Sequence, residues 1–517
     1  MDALQAAAET AAPSGTTLKR RLQGRHIAMI AIGGSIGTGL FVASGASVAQ
    51  AGPGGAIAAY VAIGIMVYFV VTGLGEMAAL MPVSGSFAIY GEKYVDEGFG
   101  VALGWTYWYS WAVTIAIELV AAQIVMRYWF PAVPGVWWGA GFLVLIFLLN
   151  TLSVRGFGES EYWFSLIKVV TVIAFIAAGL LIAAGVLGSG HTGSGNPVGW
   201  RNFTTGDAPF VGGVHAMMSV ALIAGFSFLG TELVGITAGE SENPRKTIPR
   251  AVKQIFWRIM LFYVLAIFVI GLLVPYTDPS LLKSDVTDIG VSPFTLVFSH
   301  AGFPLAAGAM NLVILTAVLS AGNSGTYAAT RMLYNLASEG RAPAMFARLS
   351  PGGVPRNALY ATMAVGGLCF LTSLTNNQSI YLWLLNTVGI TGFIAWLGIA
   401  VCHYRFRKGF LKQGYRLDQL PYRAKWFPFG PLFAIAICIV ISLGQDYQAF
   451  FAARIDWMEV LSIYVWIPLF VAIWWAYRRA RKSRLVRYEE MDIGPWLTRS
   501  VEAVDAAADS RERSRGA

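Results

Sequence analysis

With 517 residues, 56% of them hydrophobic and only 13% charged, the chain has too little polar surface to face water on all sides; a soluble domain carries roughly 25% charged residues. A net charge of +9 alone would admit nucleic acid as a partner, but the basic residues fall in the connections between apolar blocks, which removes that reading. Three cysteines make no disulfide framework and no Gly-Lys-Ser/Thr phosphate loop occurs, so neither a disulfide scaffold nor ATP drive fits.

Residues 1–20 are rich in Ala, Ser and Thr, lack a signal-peptide pattern and are expected to form a disordered cytoplasmic tail. The basic cluster Lys19-Arg20-Arg21 then leads into the first apolar block. Blocks follow at 27–50, 56–81, 101–128, 135–153, 163–187, 214–238, 256–275, 303–337, 358–374, 380–403, 427–444 and 458–477. Each is long enough to cross a bilayer, which takes about 20 residues, so an all-α integral membrane protein of about twelve spans is expected. Connections such as 50–55 and 376–379 carry no Lys or Arg, whereas the alternate ones are basic, with Arg245, Lys246, Arg250 and Lys253 in one and Arg405, Arg407 and Lys408 in another. The positive-inside rule then places both termini in the cytoplasm, with 481–517 as a C-terminal tail.

The first and sixth blocks share glycine-rich runs: Gly33-Gly34-Ser35-Ile36-Gly37-Thr38-Gly39 and Gly225-Phe226-Ser227-Phe228-Leu229-Gly230-Thr231-Glu232. Glycine weakens a helix by about 1 kcal/mol relative to Ala, and a break at membrane depth is tolerated only where the backbone is buried or lines a cavity. Close helix packing explains one such run. Two runs five helices apart point instead to an inverted repeat with interrupted helices, the strongest sequence pointer to a transporter site. The repeats are expected at 21–212 and 213–425, with 426–480 holding two further helices.

A broken helix offers bare N–H groups at one half and bare carbonyls at the other. The first suit a carboxylate and the second an ammonium, so two facing breaks match an α-amino acid. Backbone around Ser35, Gly37, Thr38 and Gly39 is expected to hold the α-carboxylate, and carbonyls near Ile36, Phe226 and Phe228 the α-ammonium, with Ser227 a further binding candidate. The Ser35 and Thr38 hydroxyls either add a bond each or bond back to their own helix.

Ionisable residues deep in apolar spans are functional candidates, and Glu76, Glu118, Lys168 and Glu232 are the clear ones. Three acids against one base favour a cationic guest. Desolvation favours the neutral form of a buried amine, so Lys168 is either a proton carrier or a fixed charge in place of sodium. Its bland alternatives are a structural pair with a nearby Glu or snorkelling. Glu232, directly after the second break, is a coupling or gate carboxylate. Glu118 meets either a substrate ammonium or a structural partner, while Glu76 is expected to be structural. Tyr107 and Trp111, four apart on one helix face, are candidates to close over a substrate, and Asn323, Ser324 and Asn386 are weaker pocket candidates. The five histidines show no ligand spacing, so no metal is expected.

At these residues the chain resembles the amino acid–polyamine–organocation superfamily, specifically its bacterial amino acid transporter family. The likeness runs over roughly 18–480 and rests on both glycine runs, on Ala51-Gly52-Pro53-Gly54-Gly55, on Gly75-Glu76 with Pro82-Val83-Ser84-Gly85-Ser86, and on Glu240-Ser241-Glu242-Asn243-Pro244-Arg245-Lys246. Segments 107–123, 155–168, 275–295 (with Asp285 and Asp288) and 381–405 are most similar to lysine-specific members. The resemblance implies a leucine-transporter-type fold and uptake of L-lysine driven by the proton gradient, without a cofactor, in the bacterial inner membrane. It also implies that Lys168 touches the broken first helix in place of sodium, and that Tyr107, Trp111 and Glu232 line the pocket. Relatives that carry aromatic substrates also resemble this chain in having an acid at Glu118, so that carboxylate is not a lysine-specific feature; a proton-coupled permease or an exchanger for arginine, ornithine or an aromatic amino acid is the alternative. A lysine-binding membrane sensor, using the external stretch 276–302 to dock a regulatory partner, is the reading from another class. The Gly-rich 188–197 is longer than the family pattern.

Overall fold

The computed structural model describes residues 22–151, 154–187, 199–282, 292–371, 378–445, 447–450 and 457–498. The expected tail at 1–20, the Gly-rich 188–197 and both Asp285 and Asp288 lie outside them. Among the described residues there is no strand, only an isolated bridge between Leu22 and Ser241.

Helix α1 (Gly24–Ser35) stops inside the first glycine run. Ile36 leaves helical space at φ −87°, ψ 94°, and the chain resumes as a π-helical turn, Gly39–Ala43, that runs into α2 (Ser44–Leu80). Inside α2, Gly52 sits at φ 71° with Pro53 after it. Only glycine adopts that conformation without strain, and proline removes the next backbone donor. The expected connection at 50–55 is therefore a sharp bend rather than a loop, and Gly54 and Gly55 satisfy their N–H groups on the Pro209 carbonyl at 2.9 and 3.2 Å.

There follow α3 (Ser86–Tyr94), α4 (Glu97–Arg127), α5 (Gly135–Thr151) and α6 (Val154–Ala183). Helix α4 is buried around most of its circumference, as expected of a helix apolar on every side. The outer faces of α5 and α6 instead expose Trp137, Leu148, Trp163 and Val170, apolar surface suited to lipid. Asp96 caps α4 by accepting the Phe99 N–H at 2.9 Å, and its carboxylate also takes the Trp474 indole N–H at 2.9 Å. Loss of an N-cap costs about 1–2 kcal/mol. Asp96→Ala is expected to lower the melting temperature of the purified protein by a few degrees while leaving transport intact, read by fluorescence thermal denaturation; no change in melting would remove the cap from the account.

The second half holds α7 (Gly213–Phe228), the short α8 (Leu233–Ile236), α9 (Pro244–Leu273), α10 (Pro279–Leu282), α11 (Pro293–His300), α12 (Pro304–Ser338), α13 (Arg356–Gly366), α14 (Gln378–Lys412), α15 (Phe429–Gly444), α16 (Trp457–Tyr464) and α17 (Trp466–Arg481). Among the described residues, six helical stretches are long and apolar enough to cross a membrane, the first running from Gly24 to Leu80 through its breaks. Apolar helices Gly135–Thr151, Met260–Leu273 and Phe429–Gly444 are shorter.

Glu76 takes the structural role expected of it. Buried on α2, its carboxylate receives the Arg407 guanidinium from α14 and the Ala424 N–H at 2.6 Å. Part of the expected C-terminal tail is also docked. Val486 N–H bonds the Val95 carbonyl at 2.8 Å, Lys93 pairs with Asp492 at 2.8 Å, and Met491 and Ile493 are buried.

Candidate functional site

The second glycine run interrupts the chain as the first does. Helix α7 ends at Phe228, Leu229 turns to φ −56°, ψ 140°, and Gly230 adopts φ 101° before α8 begins at Leu233. The two breaks touch backbone to backbone. A methyl group on Gly230 would lie 2.6 Å from the Gly34 carbonyl, and one on Gly39 would lie 2.5 Å from the Ser227 Cα. Glycine at these positions is a condition of contact.

Around this junction the structure gathers most of the residues that the sequence singled out. Glu232 is fully buried, and its carboxylate accepts the Tyr107 hydroxyl at 3.0 Å, the Trp396 indole N–H at 3.2 Å and the Gly230 N–H at 3.1 Å. Three donors from three elements fix it beside the second break. Glu118, on α4, reaches the first break: its Oε1 accepts the Thr38 hydroxyl at 3.1 Å and would lie 3.1 Å from a methyl on Gly37. Its Oε2 is buried and has no partner among the described residues. An unpartnered buried carboxylate oxygen is costly unless something arrives to meet it.

Lys168 is fully buried on α6 and donates to the Gly33 carbonyl at 2.5 Å, in the last turn before the first break. Glu161 and Glu118 act on it electrostatically. Glu161 lies seven residues earlier, two turns back on the same face, and it accepts from Ser320 at 2.5 Å and Asn323 at 3.1 Å on α12. Asn323 in turn accepts from Asn150 on α5 at 2.8 Å. Helix α6 thus ties the first break to α12 through one base and one acid.

Trp111 covers Gly325 on α12, and its ring centroid lies 6.2 Å from that of Tyr107. Ser324 is buried beside Gly34, with no partner for its hydroxyl among the described residues. The Ser35 hydroxyl bonds back to the Ile32 carbonyl at 2.9 Å, whereas Thr38 points its hydroxyl to Glu118. The Phe226 and Phe228 carbonyls accept the turn bonds from Leu229 at 3.2 Å and Thr231 at 3.3 Å. Asn386 is directed elsewhere, donating to Ser462 on α16 at 3.4 Å.

Four participants went unread in the sequence. Glu161 had a usable signal in its two-turn spacing from Lys168. Trp396, Tyr60 and Tyr263 had none, being aromatics in apolar helices among 17 Trp and 21 Tyr.

The amino acid permease family matches this chain over residues 26–489. The chain belongs to the amino acid permease family. It is therefore a membrane transporter and not an enzyme. Similar proteins include the lysine-specific permease LysP of Escherichia coli, 64% identical over 93% of this chain and 98% of the relative. The histidine permease HisP of Lactococcus lactis is 49% identical over 92% of this chain and 98% of its own. The lysine-specific permease LysP of the same organism is 47% identical over 92% and 93%.

Proposed function

We propose that this amino acid permease imports L-lysine together with a proton by alternating access across a bacterial inner membrane, with the proton gradient as its only drive. In this reading the helices make about twelve spans with both termini cytoplasmic. Residues 21–212 and 213–425 form the two inverted repeats of a leucine-transporter-type fold, and 426–480 lie outside the repeat. The observation that carries the reading is the contact of two helix breaks flanked by buried Glu118, Glu232 and Lys168. Break ends supply the partial charges an α-amino acid needs, and two acids near one base suit a guest with a second positive charge. Likeness to two lysine-specific permeases supports lysine, while the 49% likeness to a histidine permease keeps other amino acids in the test.

Purified protein in liposomes is expected to accumulate radiolabelled lysine when an inward proton gradient is imposed, and to be competed by excess lysine but not by arginine, histidine or phenylalanine. Equal competition by any of the three would sink the lysine assignment. Lysine binding without uptake would sink transport and favour a sensor.

A further inference from the structure

We propose that Tyr263 is the positioning residue that holds the two helix breaks against each other. The inference rests on the reading of those breaks as the substrate site. Tyr263 lies on α9, outside both glycine runs, and is fully buried. Its hydroxyl oxygen is 2.6 Å from the Ser35 carbonyl at the first break and 2.7 Å from the Ser227 carbonyl at the second. A phenol carries one proton, so it donates to one of these carbonyls at a time or is shared between both. Either way it supplies the positive end that lets two negative carbonyl dipoles lie within reach of one point.

The surroundings hold that phenol in place. Its ring stacks on Phe228 at 4.7 Å between centroids, with 19° between planes, and Phe228 is the last helical residue before the second break. The Ser227 hydroxyl donates to the Ile223 carbonyl at 2.9 Å and accepts from Tyr60 on α2 at 3.0 Å, so the Ser227 side chain is occupied and does not reach its own carbonyl. Removing the Tyr263 proton therefore takes from two buried carbonyls the donor that they share. The cheapest response is for the breaks to separate. Because the backbone groups proposed to grip the substrate come from both breaks, separation spoils substrate binding before it spoils the bundle.

Tyr263→Phe keeps the ring and its stacking and removes only the hydroxyl. One hydrogen bond to a buried carbonyl corresponds to about a tenfold change in an equilibrium. Two readouts test the proposal. In a background with Cys369, Cys402 and Cys438 replaced by Ala, Ser35→Cys is labelled with a small methanethiosulfonate reagent without any substrate. Tyr263→Phe is expected to speed labelling at least tenfold, and an unchanged rate overturns the proposal. In liposomes, Tyr263→Phe is expected to raise the KM for lysine about tenfold with kcat within threefold. An unchanged KM with a lowered kcat or a lowered yield of folded protein makes Tyr263 a packing residue and also overturns it. Tyr60→Phe, which removes a bond to the Ser227 side chain and spares both carbonyls, should leave the labelling rate unchanged. If the Phe variant does not fold, 3-fluorotyrosine at 263 preserves the ring and strengthens the donor; it should slow labelling, and a faster rate counts against the role. A wild-type protein that binds no lysine sinks the substrate reading alone, because the labelling comparison still decides the role of Tyr263.

Discussion

Lys168→Ala is expected to abolish gradient-driven accumulation of lysine, with initial rates at least about 100-fold below wild type. The ammonium does two things at once: it donates to the Gly33 carbonyl at 2.5 Å, and it balances Glu161 and Glu118 in a region without water-facing surface. Removing one partner of a buried charge pair costs about 3–5 kcal/mol, because the remaining charge is left uncompensated. Every 1.4 kcal/mol is about a factor of ten, so the lower end of that range already exceeds a hundredfold. The loss should not be uniform across assays. If Lys168 carries or gates the coupling proton, lysine exchange across liposomes loaded with lysine should survive better than net accumulation. Lys168→Arg sharpens the test. A guanidinium keeps the charge and the donors but does not release its proton, so this variant should bind lysine and fail to couple. Accumulation by Lys168→Ala above a tenth of the wild-type rate, in protein that remains monodisperse, would sink the coupling role.

Much of this site was legible from local composition because its defining feature is local. A glycine run inside an apolar block is a statement about backbone, and both runs are broken helices where the sequence placed them. Isolated charges in apolar spans are equally visible, and Glu118, Lys168 and Glu232 all converge on the breaks. Element ends read less well, for a physical reason. The fifth apolar block was expected to begin at 163, yet α6 begins at Val154. Glu159 and Glu161 lower the hydropathy of that turn but do not end the helix: Glu159 pairs with Arg25 and His26, and Glu161 with α12. The same holds for α9, which starts at Pro244 rather than 256, and for α14, which continues through basic residues to Lys412. Partnership between distant residues is invisible to a window of hydropathy. Tyr263 is the extreme case, since its two acceptors lie 228 and 36 residues away.

Glu118→Gln is expected to weaken lysine selectively, raising its KM about 10- to 100-fold while leaving norleucine, which is lysine without its terminal ammonium, unaffected or improved. The two oxygens of this carboxyl group have different surroundings. Oε1 is occupied by Thr38 beside the first break, and Oε2 is buried and unpartnered among the described residues. Glutamine keeps an acceptor for Thr38 and is nearly isosteric, so the fold and the first break should survive. What disappears is the carboxyl group that an incoming ammonium can pair with. Hydrogen bonds to charged groups contribute about 1.5–3 kcal/mol, and a lysine ε-ammonium facing a neutral amide forfeits that contribution, whereas norleucine, which ends at the ε-carbon, never had it. The comparison of the two substrates separates the alternatives that the sequence left open. A partner for the substrate side chain changes the ratio of lysine to norleucine affinity; a purely structural acid weakens both alike through the first break. Equal loss for the two ligands, measured by competition against bound radiolabelled lysine, would assign Glu118 to the scaffold and move the search for the side-chain partner to Glu232, whose carboxylate is already held by Tyr107, Trp396 and the Gly230 backbone.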